Sequence, residues 1–167
     1  HALLYLLRAM LLQNDGNPAG KEYEQGLEHL EQIPGRDEAH LSLLTEAWRR
    51  FGLYRHGRGE SPLPQFAKAL KAARELEKIR PYNTAVVIQV RELLLTRALL
   101  TFSEIPIDWE ELEEALTDLA RFVEETPDNV IARMKRANFA YQLAALKTDR
   151  GRQMGALVDR VVRDATI

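Results

Sequence analysis

Cysteine is absent from this chain, which removes disulfides, thiolate catalysis and cysteine-based metal sites together and fits a reducing, cytoplasmic setting. Histidine occurs only as His1, His29, His40 and His56, with no HExxH motif and no paired spacing that would hold a metal. Neither sign of charge dominates: the formal net charge is -2 and the pI is near 6.1. That excludes the global basic field that holds nucleic acid or an anionic membrane. The most apolar stretch, HALLYLLRAMLL at the start, is interrupted by Arg8, has no basic leader and is followed by no small-residue cleavage pattern. It is expected to be a core helix and not a signal segment. There is no initiator Met, and the chain is expected to be a fragment of a longer protein.

Charge is present in blocks. Arg49 to Arg80 holds nine Lys/Arg against three acids, Glu104 to Asp128 ten acids against one Arg, and the remainder eight Lys/Arg against three acids. Solvated helix faces with weak cross-helix pairing account for such blocks, since exposed ion pairs are worth about 0 to 1 kcal/mol.

Proline supplies the punctuation. Pro34, Pro81 and Pro127 each close a helical pattern, 47 and then 46 residues apart, which is a repeat signature. Between the stops the apolar periodicity is helical throughout. Residues 2–13 carry Leu3, Leu4, Leu7, Met10 and Leu11, and residues 21–33 carry Tyr23, Gly26, Leu27, Leu30 and Ile33. From Asp37 to Tyr54 the stripe is Leu43, Leu44, Ala47, Trp48, Phe51 and Tyr54. After the irregular loop RHGRGESPLP comes Phe66, Ala69, Leu70, Ala73, Leu76 and Ile79. The helix after Asn83 is apolar on several sides and is expected to be buried between neighbours. Asp108 to Glu111 reads as a capping box. It opens a helix whose Leu112, Ala115, Leu116, Leu119 and Phe122 stand 46 residues after Phe66, Ala69, Leu70, Ala73 and Leu76. The last pair runs from Val130 through Ile131, Met134, Ala137, Tyr141, Ala144 and Ala145 to a turn around Asp149 to Gly151. It ends with Met154, Leu157, Val158, Val161 and Val162. The expected fold is all-α, a solenoid of about four antiparallel pairs and about eight helices. It forms a single domain over 1–167 with approximate repeats 1–34, 35–81, 82–127 and 128–167.

The stretch GRGESPLPQFAKALKAARELEKIRPYN, Gly57 to Asn83, carries a family resemblance. It resembles tetratricopeptide-like repeats, and in its length it is similar to the extended repeats that follow the catalytic domain of bacterial, notably myxobacterial-type, serine/threonine protein kinases. Those insert a Gly-x-x-x-Pro loop between the two helices. Gly57 to Pro62 carries that loop most clearly, Asn14 to Pro18 is a second copy, and Glu104 to Asp108 is a degenerate one. No kinase signature lies within the chain itself. The resemblance implies that the first helix of each pair lines a concave surface that receives a partner segment. Carried onto this chain, that face would hold Arg49, Arg50, Glu92, Thr96, Arg133, Asn138 and Gln142, with Ile88 and Leu95 as apolar contacts.

Chemistry elsewhere is thin. Glu110, Glu111, Glu113 and Glu114 spread over more than one helix face, with no apolar pocket to separate their pKa values, so they make no acid–base pair. The Gly57 to Gly59 turn follows no strand and lacks the Lys-Ser/Thr of a phosphate loop. Most aromatics sit at core spacing; Trp109, in a first helical turn beside acids, is the one expected to be partly exposed. The expected function is a non-catalytic protein-binding scaffold without cofactor, metal, nucleic acid or membrane, taking a protein or peptide partner or positioning an attached, possibly kinase, domain. Self-association through terminal apolar helices and small-ligand binding around the central apolar helix are the alternatives.

Overall fold

The computed structural model describes residues 2–14, 16–35 and 37–164, with side chains placed as far as Thr148. Among the described residues there are seven α-helices and no strand: α1 (Ala2–Asn14), α2 (Gly20–Glu31), α3 (Glu38–Gly57), α4 (Leu63–Ile79), α5 (Thr84–Thr101), α6 (Trp109–Glu125) and α7 (Val130–Asp164). No helix among them is long and apolar enough to cross a membrane. The chain divides into two compact units, His1–Trp109 and Glu110–Ile167.

The repeat is a structural period. Helices α3, α5 and α7 start at residues 38, 84 and 130, and α4 and α6 at 63 and 109, an interval of 46 residues in every case. The residue before each of the first three is a polar cap at that same interval. Asp37 accepts from the His40 amide at 2.8 Å, Asn83 from the Ala85 and Val86 amides at 3.0 and 3.2 Å, and Asn129 from the Ala132 amide at 3.0 Å. Each cap satisfies first-turn donors that no helical carbonyl can reach. Burial follows the same register. His40, Val86 and Ala132 are buried, as are Ala47, Leu93 and Phe139. Of the five pairs matched between α4 and α6, only Leu116 is partly exposed.

In the first unit each helix lies against the next, α1 on α2, α2 on α3, α3 on α4 and α4 on α5, most extensively within α1–α2 and α3–α4. An aromatic cluster joins α2 to α3, with Tyr23 stacked on Phe51 at 5.3 Å between centroids and tilted against Tyr54 at 5.8 Å. The Tyr54 hydroxyl also accepts from the Ala19 amide at 3.0 Å, tying down the α1–α2 loop. Phe66, Ala69 and Ala73 of α4 are fully buried. Helix α5 buries Val86, Val87, Ile88, Val90, Leu93, Leu94 and Leu95, in keeping with its apolar circumference. In the second unit the buried stripe is Leu112, Ala115, Leu119, Phe122 and Val123 on α6 and Ala132, Phe139, Leu143 and Leu146 on α7. Lys147 donates to Glu113 between the two helices, joining the acidic block to the basic one after it.

Four expectations are corrected. On α7 the stripe expected from Ile131, Met134, Ala137, Tyr141, Ala144 and Ala145 is exposed throughout, and burial falls on Ala132, Phe139, Leu143 and Leu146. The turn around Asp149 to Gly151 is absent, and α7 runs unbroken to Asp164, so the described helices number seven and not eight. The segment contains no proline, and a glycine inside a helix costs only about 1 kcal/mol against alanine. The side chains of Met154, Leu157, Val158, Val161 and Val162 lie outside those described. Helix α1 turns Leu6 and Ala9 inward, leaving Leu3, Leu4, Leu7 and Leu11 between 54% and 67% exposed. Apolar on both sides, α1 has no polar face to select which side is buried. Ile33 and Ile79, expected at the inner ends of their stripes, are also exposed.

Candidate functional site

Between the C-terminal end of α1 and the middle of α3 lies a cavity of about 200 Å³, lined by Met10, Gln13 and Asn14 of α1 and by Arg49, Arg50 and Leu53 of α3. Residues three and four apart on a helix are surface neighbours, so Glu46 reaches both arginines. Arg49 donates through Nε and Nη2 to the two Glu46 oxygens at 2.8 Å each, and Arg50 donates through Nε to Oε1 at 2.5 Å. A guanidinium held through two of its nitrogens by one carboxylate is oriented before any ligand arrives.

Burial alone would push the Glu46 carboxyl up. The bonds from Arg49 and then Arg50, with the two positive charges, outweigh it, and Glu46 titrates below its ordinary value. The Glu46 bond in turn holds Arg49 above its ordinary value against desolvation, with Glu92 of α5 adding a smaller electrostatic contribution. At the cavity margin the Tyr23 hydroxyl donates to Gln13 Oε1 at 2.8 Å, fixing that amide. Burial of Tyr23 raises its pKa above the ordinary phenol value, with Arg50 the first of the opposing influences.

Arg49, Arg50 and Glu92 are therefore brought together in the first unit. Thr96 lies on α5, partly exposed. Ile88 and Leu95, expected as apolar contacts, are 5% and 4% exposed and are not offered to a partner. In the second unit Arg133 and Asn138 are exposed on α7, and Gln142 donates to the Asn138 side chain at 3.1 Å. The register places several of these positions in correspondence: Glu46, Glu92 and Asn138 are equivalent, as are Arg50, Thr96 and Gln142.

Glu46, Met10, Gln13, Asn14 and Leu53 are the site residues that the sequence reading missed. The spacing of Glu46 to Arg49 and Arg50 was signal enough for the first. Asn14 read as the start of a loop and is instead the last residue of α1. No family model, curated protein or solved structure matches the chain.

Among the described residues no group of three His, Asp or Glu is placed to hold a metal. His29 stacks on Tyr5 at 5.4 Å between centroids, and His40 is buried in the first turn of α3. Trp109 is partly exposed.

Proposed function

We propose that the chain is a non-catalytic protein-binding module of stacked antiparallel helical hairpins, tetratricopeptide-like in plan. It holds a segment of a partner or positions an attached domain, a kinase domain being the one that the resemblance implies. The observation that carries this reading is the α1–α3 cavity, walled by the first helices of consecutive hairpins and presenting two guanidiniums fixed by one carboxylate. Oriented arginines beside apolar Met10 and Leu53 suit a protein surface, because arginine and methionine are enriched where interfaces form. The test is affinity capture with the whole chain and with an Arg49→Ala/Arg50→Ala variant. The variant is expected to lose the captured partner, or to bind it about tenfold more weakly, with helicity unchanged. Retention of every partner at full strength sinks the assignment of this face.

The exposed Leu3, Leu4, Leu7 and Leu11 stripe favours a second reading, self-association through α1. Sedimentation over a concentration range decides it: a strictly monomeric chain removes that reading.

A further inference from the structure

Helix α7 carries two apolar stripes, and only one of them is covered. Ala132, Phe139, Leu143 and Leu146 are buried. On the opposite side Val130, Met134, Ala137 and Tyr141 follow one another at helical spacing and are all exposed, Met134 by 66% and Tyr141 by 75%.

The 46-residue register gives these positions a meaning. The equivalents of Met134 and Tyr141 on α5 are Ile88 and Leu95, which are apolar and covered. On α3 they are Ser42 and Arg49, both polar, the first exposed and the second half-buried with its charge met by Glu46. In α3 and α5 residue type matches exposure. In α7 it does not: apolar residues occupy positions that are covered in α5, and they stand in solvent.

We propose that this second stripe of α7 docks an amphipathic helix of another protein, one whose apolar stripe is flanked by acidic side chains. The small residues Ala137, Ala144 and Ala145 beside the two large ones let a partner helix approach closely. The charge requirement comes from the flank. Where α3 and α5 bury Leu41 with Leu44 and Val87 with Val90, α7 has Arg133 and Arg136. Both arginines are exposed, and neither has an ion-pair partner among the described residues. From residue 130 to 148 α7 contains no Asp or Glu. Acids on the incoming helix supply the missing complement.

A second copy of this chain does not fit. Among the described residues α1 offers exposed leucines but no acid, and on α6, which offers exposed glutamates, the large apolar side chains outside the core, Trp109 and Leu116, are only partly exposed. A lipid surface fits poorly as well, since a helix lying in a membrane interface needs an apolar face richer in large side chains than this alanine-lined one.

The test uses the whole chain and two fluorescently labelled helical peptides that share one leucine stripe, flanked by Glu in one and by Lys in the other. By fluorescence anisotropy the Glu peptide is expected to bind at least about tenfold more tightly than its Lys twin, and to weaken as salt rises. Met134→Ser/Tyr141→Ser should raise its Kd about tenfold or more, and Arg133→Glu/Arg136→Glu should invert the preference. All four side chains are exposed, so circular dichroism should show unchanged helicity. Arg49→Ala/Arg50→Ala should leave this binding intact, which separates its failure from failure of the α1–α3 cavity. Equal binding of the two peptides, or no response to the serine pair, overturns the proposal. So does a dimer, or binding to phosphatidylserine-containing vesicles, that the serine pair abolishes.

Discussion

A Cβ built on Gly26 would lie 2.9 Å from both Cγ and Cδ2 of Leu6 and 3.3 Å from the carbonyl oxygen of Ala2. The branch point of a buried leucine and a backbone carbonyl cannot both move aside, so α1 and α2 owe their close approach to the missing side chain. Gly20, at the start of the same helix, has only the Tyr54 ring at 3.7 Å, an ordinary contact. Alanine improves helix propensity at both places by up to about 1 kcal/mol, but at Gly26 it meets an overpacking cost of about 1 to 3 kcal/mol. Gly26→Ala is expected to destabilise the chain by about 1 to 2 kcal/mol, and Gly20→Ala to be neutral or stabilising. Denaturant midpoints measured on the pair check this. If Gly26→Ala proved as benign as Gly20→Ala, the α1–α2 contact would have to be looser than the geometry describes.

At the level of elements, the period was legible because stops and apolar positions recur together, and the recurring caps Asp37, Asn83 and Asn129 add to it in the structure. Phe66 and Leu112, or Ala69 and Ala115, hold the same place in two helices of equal length and are buried in both. What the sequence could not disclose is which side of an element is covered when both sides are apolar. Leu6 faces inward while Leu7 does not, and Met134 is exposed while its register mate Ile88 is buried. The candidate site was half legible for a related reason: the repeat resemblance put Arg49 and Arg50 on the first-helix face, but their cavity needs Gln13 and Asn14, which come from another helix. The misread turn near Gly151 has a direct test of sign. Within a continuous helix Gly151→Ala should stabilise by about 1 kcal/mol, whereas at a turn held by a left-handed glycine it should destabilise. Thermal unfolding followed by circular dichroism distinguishes the two, and a lowered midpoint would restore the break.

For the whole molecule, the division at Trp109 separates very unequal amounts of core. His1–Trp109 contains α1 to α5, with Tyr23, Leu27 and Leu30 of α2, Leu41, Leu44, Trp48 and Phe51 of α3, Phe66, Leu70 and Leu76 of α4 and the apolar run of α5 all buried. Each of these helices lies against its sequence neighbour. A chain of that size is well above the roughly 40 residues below which a core needs outside staples. The remainder, Glu110–Ile167, has α7 and most of α6. Two helices have only one facing side each to bury, and short helices are marginal in water without tertiary packing. Expressed alone, the first segment is expected to keep a sharp, cooperative thermal transition with full helicity. The second is expected to show a broad melt with reduced helicity. Far-UV circular dichroism of the two segments, scanned with temperature beside the intact chain, makes the comparison. Because repeat arrays derive stability from nearest-neighbour contacts, the outcome that would overturn this account is a first segment that melts without cooperativity, since its buried residues would then depend on α6 and α7 and not on one another.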